Sequence, residues 1–258
     1  MKKLFTMVLF GITLIYGQVA SDNASSYVGS FTGVSFGTGF GGWTSTGLGS
    51  GSKGDFIGSS ATQGFGNIDV SSKSFGIYAN PSGTSLLVRR NLSTPLADGN
   101  TFKVNLAIAF RNGTKGIRLT TAAAAQLFEL NVTSNVYNIK ELAGSNTDLG
   151  WTYSQTSIFV LEYTQLTSTT AVARLTRGSD VYTTGTLTVS DRLSQIQFFI
   201  GDTDAGNDLN NLFFNSLEVR NDSPLPVELT SFASSVVGTT VQLNWATATE
   251  VDNYGFEV

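Results

Sequence analysis

Between Thr101 and Asn112 the chain alternates strictly: Phe102, Val104, Leu106, Ile108 and Phe110 are separated by Lys103, Asn105, Ala107, Ala109 and Arg111. Strand side chains point to opposite faces with a period of two, so one face here is apolar and the other small or charged. This predicts a long, half-buried strand of an antiparallel sheet, which needs a second apolar layer to cover it. Most of the chain can supply that layer. Strands are predicted at 74–80 (SFGIYAN), 85–92, 115–121, 126–132, 136–142, 157–165, 170–176, 182–189, 193–200 and 212–219. Asn80-Pro81-Ser82-Gly83 reads as a turn, and Asn112-Gly113 as a hairpin leading into Lys115. Shorter strands are expected at Tyr27 to Phe31, Phe36 to Trp43 and Phe56-Ile57, between Gly- and Ser-rich loops. Turn signals every 8–12 residues and no useful helical period make the chain all-β: an antiparallel β-sandwich of the jelly-roll kind.

The pattern changes at both ends. Lys2 and Lys3 precede an apolar run from Leu4 to Tyr16, too short to span a bilayer comfortably, which reads as a signal peptide over 1–20. Cleavage after Gly17 or after Ala20 is compatible with it. The sandwich domain is then 21–221, and the mature protein is expected to be exported, on the cell surface or secreted, with no membrane span. Asp222-Ser223-Pro224-Leu225-Pro226 reads as a linker. From Val227 to Val258 the alternation restarts, with Val241, Leu243 and Trp245 in phase. That is enough for about three strands of a fibronectin- or immunoglobulin-like module that needs about seven.

Composition narrows the chemistry. Hydrophobic residues make up 41% of the 258 positions and charged residues 13%. With 18 Phe and 8 Tyr there is ample material for a core. Gly, Ser, Thr and Asn fill the surface, which suits neutral polar ligands. The formal net charge is −4, and removing Lys2 and Lys3 makes it more negative, so nucleic acid and anionic membranes are poor partners. Neither Cys nor His occurs, which excludes Ser-His-Asp and Cys-His catalysis and ordinary zinc sites.

Four candidate features remain. Asp202, Asp204 and Asp208 crowd one loop, and Asp22 joins them if the domain's ends lie together; hard oxygen ligands of this kind suit a structural Ca2+, as against a solvated acidic turn. Trp151, Tyr153 and, less exposed, Trp43 are candidate sugar-stacking platforms, as against core residues. Gly37 to Gly42 fits GxGxxG, but no helix follows it, so no nucleotide is expected. For glycoside hydrolysis two carboxylates must face each other across a cleft. Glu129 and Glu162 are the nearest candidates, and they lie on separate strands far apart in sequence. The chain is therefore read as a non-catalytic module binding polysaccharide or glycan. The alternatives are an adhesin or self-associating surface subunit and, less favoured, a carbohydrate-active hydrolase.

Leu225 to Leu229, Leu243-Asn244-Trp245 and Glu250 with Asn253 to Val258 resemble the opening of the C-terminal sandwich module in cargo proteins of the type IX (Por) secretion system. That resemblance implies an exported surface protein. Ser21 to Ser25, Gly37 to Trp43, Phe75 to Asn80 and Asn211 to Leu217 resemble jelly-roll modules of exported bacterial surface proteins, which are similar in outline to concanavalin-like and carbohydrate-binding sandwiches.

Overall fold

A computed structural model describes residues 17–204, 206–221, 229–237 and 240–247. Most of the expected signal segment, the linker and Asn253 to Val258 lie outside the described residues. The strands are β1 (Gly17–Asp22), β2 (Thr44–Leu48), β3 (Ser52–Gly58), β4 (Ser74–Asn80), β5 (Ser85–Asn91) and β6 (Asn100–Ile108). They continue with β7 (Thr114–Thr120), β8 (Gln126–Thr133), β9 (Val136–Glu141), β10 (Thr147–Asp148), β11 (Ser157–Thr167) and β12 (Thr170–Arg177). The last are β13 (Asp180–Thr183), β14 (Leu187–Thr188), β15 (Gln195–Gly201), β16 (Leu212–Asn221), β17 (Leu229–Val237) and β18 (Thr240–Thr247). Two single 3-10 turns are the only helical pieces among the described residues. No helix there is long and apolar enough to cross a membrane.

Strands β1 to β16 form two antiparallel sheets, the sandwich that the alternation predicts. One runs β13-β12-β11-β6-β16-β4-β3, with β14 beside β12 and β1 beside β16; the other runs β10-β9-β8-β7-β15-β5-β2. Phe102, Val104, Leu106 and Ile108 of β6 are fully buried in the interface between them, as are Phe159 and Leu161 of β11. Ile196 and Phe198 of β15 and Ile117 and Leu119 of β7 answer them from the second sheet. Phe198 stacks on Phe214 of β16 with ring centroids 3.7 Å apart, joining the two layers at the centre. Burying each such side chain stabilises the fold by about 1.5–3 kcal/mol.

In LFFNSLEV the alternation breaks: Leu212 and Phe214 face the core, and then Leu217 and Val219 do. A bulge between Asn215 and Glu218 restores the phase, with Ser216 at φ 55°. Asn215 holds that bulge, accepting from the Ala24 and Ser216 N–H groups and donating to Ile68 and Lys73 carbonyls.

Some expectations are corrected. Asn112-Gly113 does not close a hairpin, because β6 and β7 belong to different sheets and the turn carries the chain across the sandwich. Gly113 has φ +65°, and a Cβ there would lie 2.4 Å from the Gly201 carbonyl oxygen. Tyr27 to Phe31 and Phe36 to Trp43 are irregular segments and not strands. Their aromatic rings cap the core: Phe31 meets Trp43, Phe75 and Phe214 edge-on at 5.0–5.9 Å.

At the N-terminus, β1 pairs with β16, and Ala20 is buried against Gly39. A boundary after Ala20 would cut this strand, whereas one after Gly17 leaves it nearly whole. Residues 18–221 form one compact unit. The hairpin of β17 and β18, with Phe232 opposite Trp245, is a separate element.

Candidate functional site

Each sheet has one outward face, and the two differ. Over the nine-stranded sheet lies the segment after β3. Phe65 and Ile68 are buried there with Ala107, Ala109 and Phe213, closing a second, small core on the outside of the sandwich. Asp69 fastens the segment, accepting from Ser59 Oγ at 2.6 Å, from Ser60 N and Oγ at 2.8 and 2.9 Å, and from Ser74 Oγ. The rest of that face is a charge ladder satisfied within itself. Glu162 takes Arg174 and Arg220 at 3.3 and 3.2 Å, and Glu218 takes Lys103 and Arg220, each at 3.4 Å.

The seven-stranded sheet is built differently. Its registers align outward residues into rows that cross the strands. Thr44, Arg89, Gln197, Arg118, Glu129 and Lys140 form one row; Thr46, Leu87, Phe199, Gly116, Asn131 and Asn138 form the next. The strand alternation dictates this, because Val88, Phe198, Ile117, Leu130 and Ile139 take the inward positions between them. The floor is recessed: Glu129, Gln197 and Asn138 point outward yet are only 3%, 6% and 9% exposed. Arg89, Arg118, Lys140 and Phe199 are half-buried around them.

Arg118 donates from Nε to Glu129 at 2.5 Å, and its guanidinium lies 5.5 Å from the Phe199 ring centre. Gly116 makes room for that ring. A Cβ there would meet Phe199 Cζ at 3.1 Å and the Leu130 carbonyl oxygen at 1.9 Å. An amide chain extends the first row sideways, Gln197 donating to Gln195 and Gln195 to Asn91, each at 2.7 Å. Arg89 donates to Thr46 Oγ1 at 2.9 Å. Among the described residues Lys140 has no ion-pair partner, and neither Nη of Arg118 is engaged by the protein. The row thus offers guanidinium and ammonium donors, amide groups, one carboxylate and a partly bare aromatic ring.

The residues singled out in the sequence fall elsewhere. Trp43 is 1% exposed, a core residue against Phe31 and Phe75 with the Arg90 guanidinium 4.6 Å over its ring; it is corrected from platform to core. Trp151 is half-buried, parallel to Phe159 at 6.2 Å and beneath Arg177 at 5.1 Å. Tyr153 is 43% exposed and lines a shallow hollow with Phe110, Arg111, Asn112, Ser134 and Asn135. Burial and the neighbouring Tyr137 push its phenol pKa up, against the opposing pull of Arg111.

The four aspartates do not converge. Asp22 is buried and ion-paired with Arg90, and it also accepts from Tyr27 Oη. Asp202 accepts from the Gly83 N–H, and Asp204 is bonded to Asn112 through both side chain and backbone. No cluster of three carboxylates suited to a metal forms among the described residues. Glu129 and Glu162 lie on outward faces of opposite sheets, so they do not face each other across a cleft.

No protein-family model matches the chain, and no curated protein matches it significantly, so the type IX cargo resemblance gains no support. Solved structures do share the sandwich. A carbohydrate esterase from Shiga toxin-encoding bacteriophage phi24B superposes with a TM-score of 0.50 at 12% identity, over 81% of this chain and 100% of that one. An endo-β-1,4-glucuronan lyase from the fungus Trichoderma reesei gives 0.43 at 8% identity, over 75% and 94%. A sialidase gives 0.42 at 10% identity, over 60% of this chain and 16% of its own. The chain therefore spans about a sixth of the sialidase's length. At these identities the likeness establishes the jelly-roll fold alone. The expectation that the chain is non-catalytic is corrected to this extent: the architecture does not decide it, since a protein named as a carbohydrate esterase shares it.

Proposed function

We propose that the outward face of the seven-stranded sheet binds a glycan chain laid across its strands. One observation carries this reading: a recessed row of polar side chains, bordered by the Phe199 ring, occupies the sheet face that the segment after β3 does not cover. Sugar recognition needs an apolar surface for the C–H face of a pyranose and hydrogen-bonding groups fixed in advance for its hydroxyls. Phe199 and Gly116 supply the first. Gln197, Asn131, Asn138, Arg118 and Glu129 supply the second; Arg118 and Glu129 hold each other, Thr114 donates to Asn131 and Gln197 donates to Gln195 before a ligand arrives. A protein carrying such a face, exported by the Lys2-Lys3 signal segment, meets extracellular or cell-surface polysaccharide.

The test is a panel of polysaccharides in affinity electrophoresis, followed by calorimetry on oligosaccharides. Phe199→Ala removes the platform while leaving the inward residues in place. Stacking and lost area together make it weaken binding by about 1–2 kcal/mol, roughly fivefold to thirtyfold. Unchanged affinity in a folded Phe199→Ala variant, alongside loss in Tyr153→Ala, moves the site to the Tyr153 hollow and overturns the assignment.

A further inference from the structure

The glycan reading leaves the ligand's charge open, and the geometry of the row addresses it. The inference below rests on that reading and specifies the ligand class of the same face. The row through Arg89, Gln197, Arg118, Glu129 and Lys140 takes one residue from each of β5, β15, β7, β8 and β9. Its cations occupy every second strand. Strands lie about 4.8 Å apart, so Arg89, Arg118 and Lys140 repeat at about 10 Å. That is close to the length of a disaccharide unit in an extended pyranose chain, where a twofold twist turns every second sugar to the same side.

The charge balance points the same way. The protein as a whole has a formal net charge of −4, yet this row holds three cations against one carboxylate. Glu129 occupies only Nε of Arg118, and the outward fork of that guanidinium is the part a planar carboxylate takes bidentately. The opposite sheet face shows the contrast, because there each cation is ion-paired to a carboxylate of the same face. Asp148, the acidic residue at the β10 edge of the second row, turns its carboxylate to the Gly150 N–H.

We propose that the occupant of this face is an acidic polysaccharide built from uronic acid residues, presenting one carboxylate per disaccharide to Arg89, Arg118 and Lys140. A densely phosphorylated or sulfated polymer fits less well. It would bring several anionic groups per disaccharide, more than the three cations of the row can meet, against Glu129 and a net-negative protein.

The experiment titrates the full chain with polygalacturonate, alginate and hyaluronate, each beside its carboxyl-reduced, neutral counterpart, and with heparin and duplex DNA. At least one native polyuronate is expected to bind roughly 100 times more tightly than its reduced form, about fivefold for each of the three cations. That preference should shrink as salt rises from 50 to 500 mM. Arg89→Gln and Lys140→Gln, both at half-exposed positions, should each weaken polyuronate binding about fivefold. They lie four strands apart, so the double variant should lose about 25-fold, with unchanged melting temperature and a much smaller loss for the reduced polymer. Equal binding of native and reduced polymers overturns the uronate assignment and leaves the glycan face standing. Equal or tighter binding of heparin or DNA also overturns it. No binding of any polysaccharide overturns the underlying reading as well. Full polyuronate binding in the folded double variant removes the row as its site.

Discussion

Replacing Asp22 by Asn isolates the most consequential polar contact in the core. Arg90 lies on β5 facing inward and is fully buried, between the rings of Phe40 and Trp43 at 5.0 and 4.6 Å. Its charge is matched by Asp22, and its remaining donors reach the Gly41 carbonyl at 3.0 Å and Ser35 Oγ at 3.1 Å. Asp22→Asn keeps the shape but leaves a guanidinium in the core without its counter-charge, which costs about 3–5 kcal/mol. For a unit of this size each kcal/mol shifts the midpoint by about 2–4 °C, so a fall of roughly 6–20 °C is expected. Removing both charges with Asp22→Asn and Arg90→Met should recover most of it, because no uncompensated charge is then left in the core. Calorimetry on the four proteins of the cycle gives the coupling directly. A single variant losing less than about 1 kcal/mol, or a double variant no better than the single, refutes the reasoning. It would also reopen Asp22 as a metal ligand.

Gly116→Ala should destabilise the sandwich and disorder Phe199, since the new methyl meets the backbone at Leu130 and cannot be relieved by a rotamer change; a melting temperature within 2 °C of the parent contradicts this. The acid limb of stability should depend on Asp55 and Asp69. Burial pushes both carboxyls up, but hydrogen bonds from Ser30, Thr32 and Phe31, and from Ser59, Ser60 and Ser74, outweigh it and hold both below 3.8. A depressed folded pKa contributes stability above the unfolded value and loses it as pH falls through the folded one, so Asp69→Asn should flatten the loss below pH 3.8. Lys115 gives the alkaline counterpart. Burial, opposed in part by Asp204, lowers its pKa from 10.5 to about 7. The unfolded chain then holds the extra proton between those values, and stability should rise with pH across that window, a rise that Lys115→Met removes.

The fold was legible because burial writes itself into alternation. The strands from Phe75 to Val219 follow their apolar phase, and the phase break at Asn215-Ser216 marks a bulge. What alternation does not encode is which strands become neighbours. Asn112-Gly113 has hairpin chemistry, but Phe102 to Ile108 and Ile117 to Leu119 cover each other face to face and cannot pair edge to edge. The site was hidden for the same reason. Arg89, Gln197, Arg118 and Lys140 each stand at an unremarkable polar position of their own strand. They become a row only once β5, β15, β7, β8 and β9 are laid side by side. Trp43, already the less exposed of the three aromatic candidates, packs on Phe31 and Phe75 and closes the open end of the core. The carboxylates of 202–208 looked like a cation site by density alone, yet Asp202 and Asp204 are spent on backbone and Asn112.

The most direct measurement is amide and side-chain chemical-shift mapping with a hexasaccharide cut from whichever panel polymer binds. Shifts should concentrate on Arg89, Gln197, Phe199, Arg118, Glu129 and Lys140, crossing five adjacent strands in one line. Shifts confined to Phe110, Asn135 and Tyr153, or spread over the charge ladder of Glu162 and Glu218, would contradict the assignment of this face.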